Sequence, residues 1–188
     1  MERRKPDVEA LLEILNEHGV EYVITGSAAA LLHGVPLEPG DLDITPSLDR
    51  ENLKRLGRVL ESIHARQYED AGFGHWEMNA AGEHQWVKEE ATAENVAARA
   101  SWSPNAADPA TFDYLLDSDF GSIDIVPVIS GTYEQLAPDA VSVRRGQRLV
   151  LVEAVSDLLA TLTVPRRGKD ADRVRELRRI QRLQERSE

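Results

Sequence analysis

Residues 21–34 read EYVITGSAAALLHG, and residues 40–44 read GDLDI. The first run opens with β-branched and aromatic residues, breaks at Gly26-Ser27, and resumes in strong helix formers that end at Gly34. Strand, tight turn and short helix is the simplest account of that order. Residues 35–40 are rich in Pro and Gly and read as a loop. Asp41-Leu42-Asp43-Ile44 then alternates polar with apolar before Pro46, the pattern of a short strand.

On a strand, successive side chains point to opposite faces, so Asp41 and Asp43 leave from one face while Leu42 and Ile44 leave from the other. Two carboxylates forced together repel and raise one another's pKa unless a cation compensates, and an all-oxygen cluster suits Mg²⁺. An exposed strand edge with solvated acids explains the same pair. Asp124 stands between Ile123 and Ile125 in GSIDIVPV (residues 121–128), where a carboxylate needs a partner to offset desolvation. A nearby Arg or a set of backbone amides would serve as well as a metal. Gly26-Ser27, between strand and helix, can present free N–H groups to an anion, or Ser27 can be an ordinary N-cap. The three features together make a two-metal phosphoryl-transfer kit: a phosphate cradle, a carboxylate pair, and a third acid on a later strand.

The remaining chain has the rhythm of a mixed domain. Val8, Leu11, Leu12 and Leu15 predict an opening helix over 7–18, started by Pro6-Asp7 and stopped by Gly19. Leu53, Leu56, Val59, Leu60 and Ile63 predict a second over 49–65. Residues 66–110 are read as a variable insert with a helix near 89–100 and a loop over 103–109. The runs 112–116 and 122–128 flank turn chemistry at 117–121 and predict an antiparallel hairpin. A short helix at 133–137, a strand at 147–152 and helices at 154–162 and 170–184 complete the expected order. The fold class is α+β with a mixed sheet, in a single domain over 1–188 whose residues 154–188 form a C-terminal helical part.

Composition narrows the chemistry. The 188 residues contain no cysteine, which removes disulfides, thiolate nucleophiles and Cys-based zinc sites. There is no apolar run of membrane-spanning length and no apolar stretch after the basic N-terminus, so a cytoplasmic chain with no membrane partner is expected. The net charge of −11 argues against a general nucleic-acid coat. Charge is nevertheless uneven: residues 166–188 carry nine Lys or Arg against five acids. That segment is either a solvated helix with internal ion pairs or a contact for nucleotide or RNA. His33 is read as a helix-end residue. His64, His75 and His84 lack zinc-ligand spacing, and Trp76, Trp86 and Trp102 are read as packing.

Gly26-Ser27, Asp41-Leu42-Asp43 and Asp124 resemble the signature of the polymerase β-type nucleotidyltransferases. The fuller strings ITGSAAALLHG, GDLDI, GSIDIVPVISGTYEQL, VSDLLATL and RRGKDADRVREL are similar to bacterial nucleotidyltransferase proteins akin to AbiEii-type toxins of type IV toxin–antitoxin systems. The resemblance covers roughly residues 20–64 and 111–180. It implies a nucleotidyltransferase fold and an enzyme that moves a nucleotide from an NTP to an acceptor hydroxyl, releasing pyrophosphate. By that resemblance Asp41 and Asp43 bind two Mg²⁺ ions, and Asp124 binds one and orients the hydroxyl. Gly26 and Ser27 face phosphate. The acceptor is a tRNA or a small molecule, and a cognate antitoxin is an implied partner. Relatives often carry a Lys where Leu162 stands, and a Ser or Thr where Gly40 stands; Arg166, Arg167 and Lys169 are then the cations expected to meet the nucleotide. The departure at Leu162 motivates an alternative, a noncatalytic protein of the same fold that binds a nucleotide or a protein partner.

Overall fold

The structure, a computed structural model, describes residues 4–68, 73–78, 84–128, 130–146, 148–162 and 168–186, with backbone alone at 73–78, 84–86 and 168–169. The opening helix α1 (Val8–Glu17) is capped by the Asp7 carboxylate, which accepts from the Ala10 N–H, and it buries Leu11, Leu12 and Leu15. Strand β1 (Tyr22–Ile24) is buried along its whole length, as a central strand must be. It turns directly into helix α2 (Gly26–Leu32), which seats Ala28, Ala29 and Ala30 in the core. Strand β2 is Leu42–Pro46, and helix α3 is Arg50–Ser62.

Helix α3 begins where it does because Asp49 accepts from the Glu51 and Asn52 amides. Its Leu53, Leu56, Val59 and Leu60 face the core, and burying each such side chain contributes about 1.5–3 kcal/mol. Asn52 is buried too, but it is satisfied. Its amide donates to the Glu21 and Ser47 carbonyls, and its oxygen accepts from the Glu21 N–H.

Strand β3 (Arg66–Gln67), a hairpin of β4 (Phe73–Met78) and β5 (His84–Glu89), and helix α4 (Ala93–Ala100) follow. The helix expected near 89–100 starts only at Ala93, because Thr92 and Asn95 form a capping box there and residues up to Glu89 are strand. Strand β6 (Leu115–Asp117) and β7 (Ile123–Ile125) pair antiparallel, as expected for the hairpin, although both are shorter than the apolar runs. Phe112 belongs instead to a 3-10 turn, Pro109–Phe112, capped by Asp108. Helix α5 (Tyr133–Leu136), strands β8 (Val141–Arg145) and β9 (Arg148–Val152), and helices α6 (Val155–Thr161) and α7 (Gly168–Gln184) close the chain.

Seven strands form one mixed sheet in the order β3-β6-β7-β2-β1-β9-β8, with β4-β5 as a separate pair. The class is therefore α+β. Strand β2 runs antiparallel to β1 and parallel to β7, while β1 runs parallel to β9. Among the described residues no helix is long and apolar enough to cross a membrane.

Candidate functional site

The parallel pairing of β2 with β7 sets Asp43 opposite Asp124. Register partners on neighbouring strands project to the same side, so two acids far apart in the chain share one face. Their flanking residues Leu42, Ile44, Ile123 and Ile125 are fully buried and lock that register, since a one-residue slip would expose all four. Asp41 precedes the strand by one residue, at the bend that leads into it.

Asp43 also grips the turn between β1 and α2. Its carbonyl accepts from the Thr25 N–H at 3.0 Å, and its Oδ2 accepts from the Ser27 N–H at 3.3 Å. Gly26 lies at φ +61°, and a Cβ there would stand 2.4 Å from Asp43 Oδ2. Only glycine permits this approach. Burial pushes the Asp43 carboxyl up to about 8, with repulsion from Asp41 and then Asp124 adding to it. The Ser27 N–H and the charge of Arg173 act in the opposite direction.

The Gly26 amide has an acceptor of its own. It donates to Oε2 of Glu153, 3.3 Å away, at the residue just beyond β9. Glu153 is fully buried, and burial pushes its carboxyl up to about 7, against hydrogen bonding from Ser130 and Gly26. The two amides expected to be open to a phosphate are thus already matched with carboxylates. What Ser27 retains for an incoming anion is its half-exposed hydroxyl.

Glu153 and Arg173 are the site residues that sequence reasoning missed. Arg173 had a usable signal, because it lies on the same helical face as the buried Asp170 and Leu177, three before and four after it. Glu153 had a weaker one. An acid directly after the apolar strand LVLV reads as a solvated strand end until the sheet order shows β9 beside β1.

Arg166, Arg167 and the Lys169 side chain fall outside the described residues, whereas Leu162 packs partly buried against the core. His33 does more than end a helix, since its Nε2 is 2.8 Å from the Glu153 carbonyl. His64 is drawn to Asp119, with Nδ1 2.6 Å from Oδ2, and the side chains of His75 and His84 are outside the described residues. Trp102 donates to the Thr111 carbonyl and meets Tyr114 edge-on at 6.1 Å, which is a packing role. A cavity of about 380 Å³ beside α3, lined by Lys54, Gly57, Arg58, Glu61, Pro104 and Phe112 among others, includes none of the acids of the sheet.

The donor set of Asp41, Asp43 and Asp124 is all oxygen and suits a hard divalent cation in its chemistry. Its spacing is looser than that. Among the described residues, no three acidic or histidine side chains stand close enough together to hold a metal ion as they are. A cation bound here must draw the carboxylates inward. The chain matches no protein-family model and no curated protein, so the case for what this site does rests on these side chains.

Proposed function

We propose that the chain is a Mg²⁺-dependent nucleotidyltransferase that moves a nucleotide from an NTP to an acceptor hydroxyl, with pyrophosphate released. The observation that carries this reading is the pairing of Asp43 with Asp124 across β2 and β7, directly beside the Gly26 turn. Two carboxylates on one face raise each other's energy, and Asp41 adds to the repulsion at Asp43. Such a cluster is favourable only when a proton or a cation is bound.

Asp41, Asp43 and Asp124 are the residues that would hold magnesium, which supplies charge neutralisation at the phosphates and lowers the pKa of a bound hydroxyl. Asp124 orients the acceptor hydroxyl. The Ser27 hydroxyl donates to a phosphate oxygen. Arg173, half-buried on α7 with its charge acting on Asp43, meets the phosphates from the helix side, the role expected of Arg166, Arg167 and Lys169. The acceptor is a tRNA or a cationic small molecule, the latter matched by a body that carries −15 outside its last 23 residues.

Incubation with α-labelled NTPs, Mg²⁺, and either total tRNA or aminoglycosides tests this. Label transfer by the wild type should fall by more than about a hundredfold in both Asp43→Ala and Asp124→Ala. Transfer that survives both substitutions would falsify the assignment. A second reading, a noncatalytic binder of nucleotide or a protein partner, is favoured by Leu162 packed against the core and by the loose spacing of the acids. Mg²⁺-dependent NTP binding without any transfer would select it.

A further inference from the structure

Residue 153 touches α2 at both of its ends. Its carboxylate accepts from the Gly26 N–H, the first amide of the helix, and its carbonyl lies 2.8 Å from Nε2 of His33, the C-cap. Its own N–H donates to the Ile24 carbonyl at 2.9 Å, which continues the β1–β9 pairing by one step. Glutamate at this place has no exposed surface, and its Oε1 has no hydrogen-bond partner among the described residues. A buried acid is costly to keep, so its contacts must secure something in return.

The strand order shows what is secured. Strand β1 lies between β2 and β9, and α2 rises from the end of β1. The first two amides of α2 therefore go in opposite directions, Gly26 to Glu153 beyond β9 and Ser27 to Asp43 on β2. Gly26 sits in the left-handed region with Asp43 against its α-carbon, a conformation that its own residue type permits but does not enforce. A hydrogen bond on its N–H fixes that peptide plane, and the next amide is then aimed at Asp43.

We propose that Glu153 is a positioning residue of this site, which holds the Gly26–Ser27 turn from β9 so that Asp43 stays seated from β2. This rests on the reading that Asp41, Asp43 and Asp124 form the metal-binding centre. Glu153 itself touches neither metal nor substrate. It acts through the turn.

The test compares the full-length wild type with Glu153→Gln and Glu153→Ala by amide exchange, the Gly26 and Ser27 amide resonances, and titration with Mn²⁺. Glutamine keeps an oxygen that can accept from Gly26, so Glu153→Gln should leave the two resonances near wild type and Mn²⁺ affinity within about threefold. Glu153→Ala should shift both resonances and speed exchange at Gly26 about tenfold, while α3 amides keep their protection. Its Mn²⁺ affinity should fall by about tenfold, as when an outer contact of a metal ligand is removed.

Unchanged Gly26 exchange and Mn²⁺ affinity in Glu153→Ala would overturn the proposal. So would a Glu153→Gln variant that loses Mn²⁺ affinity with its Gly26 resonance in place, because charge and not positioning would then be the cause; this arm decides the matter even if the alanine variant fails to fold. A wild type that binds no Mn²⁺ defeats the metal reading instead, and Gly26 exchange in the two variants alone then decides whether Glu153 holds the turn.

Discussion

At Gly26 the backbone runs at φ +61° and the nearest side-chain atom, Asp43 Oδ2, lies only 2.4 Å from where a β-carbon would be. Two separate costs follow from any substitution there. The first is the left-handed conformation, about 1–2 kcal/mol for an L-residue. The second is displacement of Asp43, which breaks the Ser27 hydrogen bond and moves a metal-facing carboxylate. Gly146 separates the two, because it has a similar φ of +55° with nothing within 4 Å of its would-be Cβ. Urea unfolding should therefore show Gly146→Ala losing only the conformational cost, and Gly26→Ala losing at least about 2 kcal/mol more. Equal losses would mean that Asp43 is free to move aside.

Elements with a clear apolar or helix-forming pattern were readable from the chain alone, α2 and α6 even without a side-chain cap, whereas short or mixed-polarity strands were not. Helices α1 and α3 fall within a residue or three of the expected bounds because Asp7 and Asp49 cap them and leucines mark the buried face. Strands β1 and β2 were legible for the same reason of pattern, and Asp41, Asp43 and Gly26 were legible with them. Residues 66–110 resisted reading because β4 and β5 are mixed in polarity, and β3 is two residues long. Strand β8 was missed because VSVRR is an edge strand whose Val141 is exposed, so no apolar face declared it. Glu153 gave only a weak signal for a topological reason: its partner is Gly26, 127 positions away, and only a parallel β1–β9 pairing brings them together.

Over the whole molecule, raised carboxyls couple stability to pH, Asp43 and Glu153 most strongly, with Asp113 also pushed up by burial. Asp43 moves from 3.8 to about 8 and Glu153 from 4.5 to about 7, so between roughly pH 4 and 8 the folded chain holds protons that the unfolded chain has released. Stability contributed by these groups is full at the acid end and is lost as pH rises through the folded values. In EDTA the melting temperature should fall from pH 5 to pH 8, and Asp43→Asn should flatten much of that fall and stabilise the protein at pH 8 by about 1–2 kcal/mol. A divalent cation should do the same for the wild type. A melting temperature that rises over this range in both proteins would contradict the burial that raises these two carboxyls.

The C-terminal helix brings the opposite charge to this body. Leu177 anchors α7 in the core, and Arg173 on the same side acts on Asp43, while Arg175 and Arg179 pair within the helix with Asp172 and Glu176. Acids from β2 and β7, a turn from β1 and a cation from α7 are therefore contributed by segments spread over the chain. The most direct measurement of what they do together is anomalous scattering from a crystal grown with Mn²⁺ and an NTP. The expected result is a peak bound by the carboxylates of Asp43 and Asp124, with Asp41 drawn toward it and the phosphates on the Ser27 side. Ordered Mn²⁺ and nucleotide elsewhere, with the carboxylates of 43 and 124 empty between them, would contradict it.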